Sequence, residues 1–376
     1  MQDEVLILGG GVAGCAASIA LARKGRSVTL IEREPTPRHK VCGEFLSGEA
    51  LEDLHALGID VASLGAVPIN YVRLAAARRA AEAPLPFPAA SLTRKALDTA
   101  LIAAAIAAGV TVERGRGVQS LSRATAGLWQ AKLDDGATYE APTAFLATGK
   151  NDLRGHGRPK DPHQWVAFKM YYRLSAAQTA DLADASELTL YSGGYGGIQP
   201  VEDGIANFCC VVERRYFASA GLRWEGLLAK MQQDCPHLAM RLDGAKPLLD
   251  KPITITHIPY GYIRRATEEG LYCIGDQAAV IPSFTGDGIS IALHTARRAA
   301  AAYLAAEAAP VFQPKLRSAM LPQMRLAELA ANGLTNALAR AILPFCLSIW
   351  PGAMRVTARL TRVTQPAAFG QQAVAN

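Results

Sequence analysis

The chain has little of what several protein classes require. It has seven cysteines, an odd number, and no C-x-x-C pair. That argues against a disulfide scaffold and against a zinc site, so no metal is expected. Cys209 and Cys210 are adjacent and read as packing residues. No Lys/Arg-rich run occurs and the net charge is only +6, so nucleic acid is not an expected partner. No apolar run is long enough to span a bilayer; Ala341 to Trp350 is short and contains Pro344. Met1-Gln2-Asp3-Glu4 leads at once into an apolar strand, which leaves no room for a signal peptide and makes a cytoplasmic location the expectation. Internal repeats are absent, and no hydrolytic triad is apparent. What remains, with half of its residues hydrophobic and 19% charged, suits a folded protein of two or three modules.

The informative stretch is the first. Val5-Leu6-Ile7-Leu8 reads as a buried strand, Gly9-Gly10-Gly11 as a turn, and Val12-Ala13-Gly14 as the start of a helix. Gly9, Gly11 and Gly14 fit G-x-G-x-x-G. Gly9 permits a tight turn, Gly11 leaves room for a pyrophosphate against the backbone, and Gly14 brings helix and strand together. The helix N-terminus, at Val12 and Ala13, offers N–H groups and a partial positive charge to phosphates. A second strand, Val28 to Ile31, ends at Glu32, an acid placed to hold a ribose, with Arg33 beside it.

Further along, Ser47 reads as the cap of a helix from Gly48 to Leu57. Val67 to Ala76 has strand alternation, and Arg78 to Pro88 reads as a crossing segment. A helix runs from Ser91 to Ala108, followed by a strand at Val110 and a meander turned at Asp134-Asp135-Gly136. From Arg158 the pattern changes to wide strands at 164–174, 187–192, 198–201, 205–213 and 253–262, with a glycine-rich loop at Gly193 to Gly197. The buried strand 271–274 ends at Gly275-Asp276, and a helix runs from Ile289 to about Ala306. The chain from Phe312 onward is mostly helical. The expected architecture is α/β: a discontinuous Rossmann-type dinucleotide-binding domain (1–66, 90–157, 265–308), an inserted β-sheet substrate domain (67–89, 158–264) and C-terminal helices (309–376).

Together these motifs resemble the flavoproteins of the p-hydroxybenzoate hydroxylase fold, which include monooxygenases, flavin halogenases and geranylgeranyl reductases. The resemblance covers roughly residues 3–305. It implies FAD, with the Gly9–Gly14 turn, Glu32, Arg33, Lys40 and Arg94 at the ADP and pyrophosphate end. Gly275 and Asp276 would hold the ribityl chain. Gly286, Gly288 and Ile289 would pass the isoalloxazine edge, with the helix dipole favouring the reduced anionic ring. Lys40-Val41-Cys42-Gly43-Glu44 resembles the Cys-Gly-Gly segment of the reductases, with Glu44 replacing a glycine. Gly193 to Pro200 resembles their Gly-Tyr-Gly-Trp-x-x-Pro segment, with Gly197 where the tryptophan would stand. The monooxygenase Asp-Gly motif is Thr148-Gly149 here, and the halogenase Trp-x-Trp-x-Ile-Pro pattern is absent.

The resemblance implies an FAD-dependent oxidoreductase. The first expectation is an NAD(P)H-dependent monooxygenase that hydroxylates a small hydrophobic aromatic or polyketide-like metabolite through a C4a-(hydro)peroxyflavin. The alternatives are a reductase of C=C bonds in an isoprenoid or lipid and an electron-carrier flavoprotein. Tyr195, His257 and Cys42 are the candidate catalytic residues. Arg340, Arg355, Arg359 and Arg362, among Leu343, Phe345, Leu347, Ile349 and Trp350, make the C-terminal region either a packed lid or a contact for a membrane surface or a partner protein.

Overall fold

The computed structural model describes residues 4–124, 127–159, 161 and 164–336, and beyond these residues 352, 355 and 362. The C-terminal apolar residues Leu343 to Trp350, expected to be helical, lie outside the described residues with Arg340 and Arg359.

The first unit is a five-stranded parallel sheet in the order Leu271–Cys273, Thr143–Leu146, Val5–Leu8, Val28–Glu32, Thr111–Arg114. Its strands are apolar on both sides because both faces are covered. Val5 and Ile7 pack on the helices Val12–Ala22, Arg94–Ala107 and Gly288–Leu304. Leu6 and Leu8 point the other way, onto a three-stranded meander with Trp129, Ala131 and Leu133. Each leucine or isoleucine buried in this way contributes about 1.5–3 kcal/mol. Thr93 caps the Arg94–Ala107 helix by accepting a hydrogen bond from the Ala96 N–H.

The second unit is an eight-stranded sheet. Its centre is Trp165–Arg173, Ile205–Glu213, Gly194–Val201 and Ala185–Tyr191, running antiparallel in that order. Tyr71–Ala76 joins the edge in parallel with Ala185–Tyr191, and Arg79–Pro84 closes it as a hairpin. One face packs on the Trp224–Asp234 and Pro236–Arg241 helices through Phe168, Phe208, Leu227 and Met231. The other face is turned to the parallel-sheet unit.

Several expectations change. Arg78 to Pro88 is not a plain crossing segment: alternate alanines, Ala81 and Ala83, are buried, and Arg79–Pro84 pairs along Tyr71–Ala76. Val67 to Ala76 divides into Val67–Pro68 and Tyr71–Ala76, which belong to different sheets. The glycine-rich stretch is strand, not loop. Gly194 and Gly196 are needed there because a Cβ would meet Val211 O at 2.0 Å and the Phe208 ring at 2.8 Å. Ile253–Thr256 is the only strand within 253–262. Ser47 does occupy the N-cap position, but its hydroxyl bonds Ser290 at 2.7 Å instead of a helix N–H. The helical expectation after Phe312 holds for Ala309–Thr335, which packs Phe312, Leu316, Met320 and Met324 on the first core.

Candidate functional site

The turn at the end of Val5–Leu8 is built for close approach. Gly9 has φ +115°, and a Cβ there would lie 2.4 Å from Ala147 O. A Cβ on Gly14 would lie 1.9 Å from Gly9 O. These two glycines are demanded by the fold. Gly11 is different: a Cβ there would meet nothing nearer than Arg94 Nη2, at 3.7 Å. The space above Gly11 is therefore a cradle whose far wall is a guanidinium. Glu32 fixes the turn by accepting the Gly10 N–H at 2.7 Å and the Glu34 N–H at 2.9 Å. Arg94 bonds Asp98 Oδ1 at 3.0 Å, and Lys40 Nζ bonds Asp98 Oδ2 at 2.8 Å. Two cations thus share one buried carboxylate, leaving a surplus positive charge beside the helix N-terminus. This arrangement fits a dinucleotide pyrophosphate. Arg33 stands apart from it, mostly exposed and paired with Glu34.

Gly275 and Asp276 follow the Leu271–Cys273 strand. Gly275 N–H donates to Thr295 Oγ1 at 2.8 Å, and Arg158 donates to the Asp276 main-chain oxygen at 3.0 Å. The Asp276 carboxylate is left without a partner among the described residues, free to accept hydroxyl groups of a ribityl chain. Gly286 has φ +73°, and a Cβ on it would strike Phe45 at 2.8 Å. Gly288 and Ile289 open the Gly288–Leu304 helix. Asp287, between Gly286 and Gly288, is buried and pairs with Arg362 at 2.7 Å. Burial pushes its carboxyl up to about 7, against the pull of Arg362.

The inner face of the eight-stranded sheet is graded. Because side chains alternate along a strand, paired residues form rows across it. One row is Ala167, Val211, Tyr195. The next is Lys169, Cys209, Gly197, and the third is Tyr171, Asn207, Gln199. The apolar row packs with Val41, Ile258 and Val280. The polar row grips segment 42–44: Asn207 and Gln199 side-chain amides both donate to Gly43 O, at 2.8 Å each.

Glu44 lies at the join. Its φ is +64°, where a residue with a Cβ is held at a cost of about 1–2 kcal/mol. Its carboxylate is fully buried and offsets this by its contacts. Oε1 accepts the Arg94 N–H at 2.7 Å and the Tyr171 hydroxyl at 2.8 Å, and lies 2.5 Å from Lys169 Nζ. Burial raises the Glu44 carboxyl above the usual glutamate value even so, with Lys169 pulling the other way. Tyr171 also meets His39 Nδ1 at 2.9 Å.

Of the three expected catalytic residues, the structure brings Cys42 to this segment, where its sulfur accepts the Glu44 N–H at 3.3 Å. Tyr195 lies on the apolar row, its hydroxyl 3.2 Å from Ser283 Oγ and its ring edge-on to Phe284. Burial pushes its hydroxyl up to about 12. Ser283 also accepts from Tyr260 at 2.9 Å. His257 is not gathered with them. It is exposed at φ +59° and bonds its neighbour Thr256.

Comparison with known proteins agrees with the cradle. A family model described as FAD dependent oxidoreductase matches residues 4–43. A menaquinone reductase of Mycolicibacterium smegmatis is 27% identical over 316 residues, covering 80% of this chain and 76% of the relative. The chain is an FAD-dependent oxidoreductase.

Other likenesses are narrower or concern the fold. The squalene epoxidase erg1 of Schizosaccharomyces pombe is 39% identical over 59 residues, 15% of this chain and 13% of the relative. The solved structure of the flavin-dependent brominase Bmp2 superposes on this oxidoreductase with TM-score 0.79 at 19% identity, covering 96% of this chain and 93% of the other. At that identity the shared property is the flavoprotein fold. Sequence reading missed Lys169, Tyr171, Gln199 and Asn207. The available signal was polar residues at every second position on strands whose intervening residues are apolar. Among the described residues no helix is long and apolar enough to cross a membrane, and no cluster of side chains is suited to a metal ion.

Proposed function

We propose that this oxidoreductase reduces a carbon–carbon double bond in a long, apolar, isoprenoid-bearing molecule, with a lipid quinone the favoured class. The observation that carries the reading is the graded inner face of the substrate sheet. Its apolar row, Ala167, Val211 and Tyr195, suits a chain without hydrogen-bonding groups. Its polar end presents a buried acid beside segment 40–44, which is what a reduction consuming protons needs. Gly197, with open space above it, leaves the middle row wide enough for a bulky substrate. Likeness to a menaquinone reductase along most of the chain supports the same reading.

Bound FAD would supply the stored hydride. Gly9, Gly11 and Gly14 would admit its pyrophosphate, with Arg94 and Lys40 facing the charge, and Asp276 would accept from the ribityl hydroxyls. Tyr195, Ser283 and Phe284 would exclude water from the apolar end. NAD(P)H is the proposed reductant.

Oxygen insertion, the first expectation from sequence, is kept as the second reading, because short segments match squalene epoxidases. The test is mass analysis of product. FAD-loaded protein is given NADPH or dithionite with a short-chain menaquinone or squalene, with and without oxygen. Addition of two hydrogens to the menaquinone side chain without oxygen supports reduction. Gain of an oxygen atom by squalene, only in air, favours the second reading. No change in either substrate would sink both.

A further inference from the structure

We propose that Glu44 is the proton donor of the substrate cleft and that Tyr171 and His39 form the path by which it is recharged from solvent. The inference rests on the reductive reading for its last step and on this chain's own geometry for the rest.

Three atoms line up. His39 Nδ1 lies 2.9 Å from the Tyr171 hydroxyl, which in turn donates to Glu44 Oε1 at 2.8 Å. Since the hydroxyl proton points at Glu44, the His39 ring presents Nδ1–H to the tyrosine oxygen. His39 is partly exposed, Tyr171 is buried and Glu44 is fully buried, so the line runs from the surface inward. At its inner end Glu44 Oε2 is buried and has no hydrogen-bond partner among the described residues. That lone oxygen is the place for a proton that can leave.

The charges around the line are set for a proton held but not trapped. Lys169 faces the Glu44 carboxylate from the sheet, and its ammonium also lies 4.6 Å from the Tyr171 ring centre. Arg94 approaches from its helix through its N–H, and Cys42 and Cys209 lie in the field of the pair. Burial lowers the His39 pKa from its ordinary value, helped by Lys169 and Lys95, while Glu202 acts the other way. His39 is thereby kept neutral near pH 7, with one ring proton to pass on. A glutamate held at a backbone angle that favours glycine is tied there by this network, in which Arg94, Tyr171 and Lys169 all meet its Oε1.

The step balances as follows. Bound reduced FAD would supply the hydride for one carbon of the double bond and would be oxidised in doing so. The Glu44 carboxyl gives its proton to the other carbon, leaving a saturated C–C bond. The Tyr171 hydroxyl proton passes to Glu44, the His39 Nδ1 proton passes to Tyr171, and water protonates Nε2 as Nδ1 is released.

The experiment uses full-length FAD-loaded protein and the variants E44Q and Y171F. Gln keeps the hydrogen bonds from Arg94 and Tyr171 but cannot ionise. Infrared difference spectra between about pH 4 and pH 8 should show a protonated-carboxyl band in the wild type that E44Q lacks. On transfer to D2O the band should shift at least about 10-fold more slowly in Y171F than in wild type. Absence of such a band in wild type, or equal exchange in Y171F, overturns the proposal. With a short-chain menaquinone as probe, E44Q should lose about 100-fold in kcat with little change in KM and should lose the alkaline limb of the pH profile. If the wild type leaves that probe unreduced, the reductive reading fails, while the infrared bands still decide the relay.

Discussion

Arg362 Nη1 sits 2.7 Å from Asp287 Oδ1 and ties the C-terminal region to the turn that opens the Gly288–Leu304 helix. The same guanidinium donates to Thr285 O at 3.1 Å and stacks 4.3 Å from the Phe87 ring centre. One arginine thus joins the turn at Thr285 and Asp287 to the segment before the Arg94–Ala107 helix. R362A leaves a buried carboxylate without its cation, and loss of one partner from a buried pair typically costs about 3–5 kcal/mol. Thermal melting should show a lower Tm, and limited proteolysis should cut the C-terminal region sooner. An unchanged Tm would mean that the pair adds nothing to the fold.

The Asp287 carboxyl also sets a pH dependence. Its folded value is near 7, raised by burial, against about 3.9 when unfolded. The folded state therefore holds a proton that the unfolded state has released. The stability this group contributes is complete below about pH 4 and is lost as pH rises toward about 7. In D287N that fall should flatten, as measured by urea unfolding at a series of pH values. A parallel fall in D287N would show that another group is responsible.

Glu187 acts in the opposite sense. It is buried against His237 at 3.0 Å and Arg241 at 2.8 Å. Burial resists ionisation, but these partners hold the carboxyl down at about 2. Its stabilisation is present above about pH 4 and is lost as pH falls toward about 2. E187Q should destabilise the chain by about 3–5 kcal/mol at neutral pH, with a smaller loss in acid. Equal Tm differences at both pH values would contradict the assignment.

The three glycines of the first turn should separate into two kinds. G14A forces a Cβ to within 1.9 Å of Gly9 O, so it should lower stability with or without FAD. G11A meets only Arg94 Nη2 at 3.7 Å, so the apoprotein should keep its Tm. Its FAD affinity should nevertheless fall by about 10-fold or more, read by flavin fluorescence titration. If G11A binds FAD normally, the cradle above Gly11 does not hold the pyrophosphate.

The nucleotide end was legible in the sequence because its logic is local. Strand, Gly9 to Gly14, helix and Glu32 lie within one βαβ run, and each residue acts on its neighbours. Arg94 was legible through its place at a helix start. The graded sheet face was not, because it is made by pairing across strands. Lys169 meets Glu44 only after the Trp165–Arg173 strand is laid over a loop formed far earlier in the chain. The glycine strand misled for a related reason. Gly194 and Gly196 read as loop residues until Val211 and Phe208 are seen to fill the space beside them. His257 reads in the sequence as a candidate acid or base, but its exposed ring bonds only its neighbour Thr256 among the described residues.

The parallel sheet has a consequence for how the protein is made. Its outermost strand, Leu271–Cys273, is the last to leave the ribosome, and it adds to Thr143–Leu146 only then. The eight-stranded sheet likewise waits, since the Tyr71–Ala76 and Arg79–Pro84 hairpin cannot join it until Ala185–Tyr191 has been synthesised. Neither unit can close as a vectorially finished piece; each keeps an open edge while the other is being translated. Asp276 and the helix after it emerge later still. If Asp276 holds FAD as proposed, full FAD capture is a late event in biosynthesis, and nascent chains shorter than about residue 304 should bind FAD weakly.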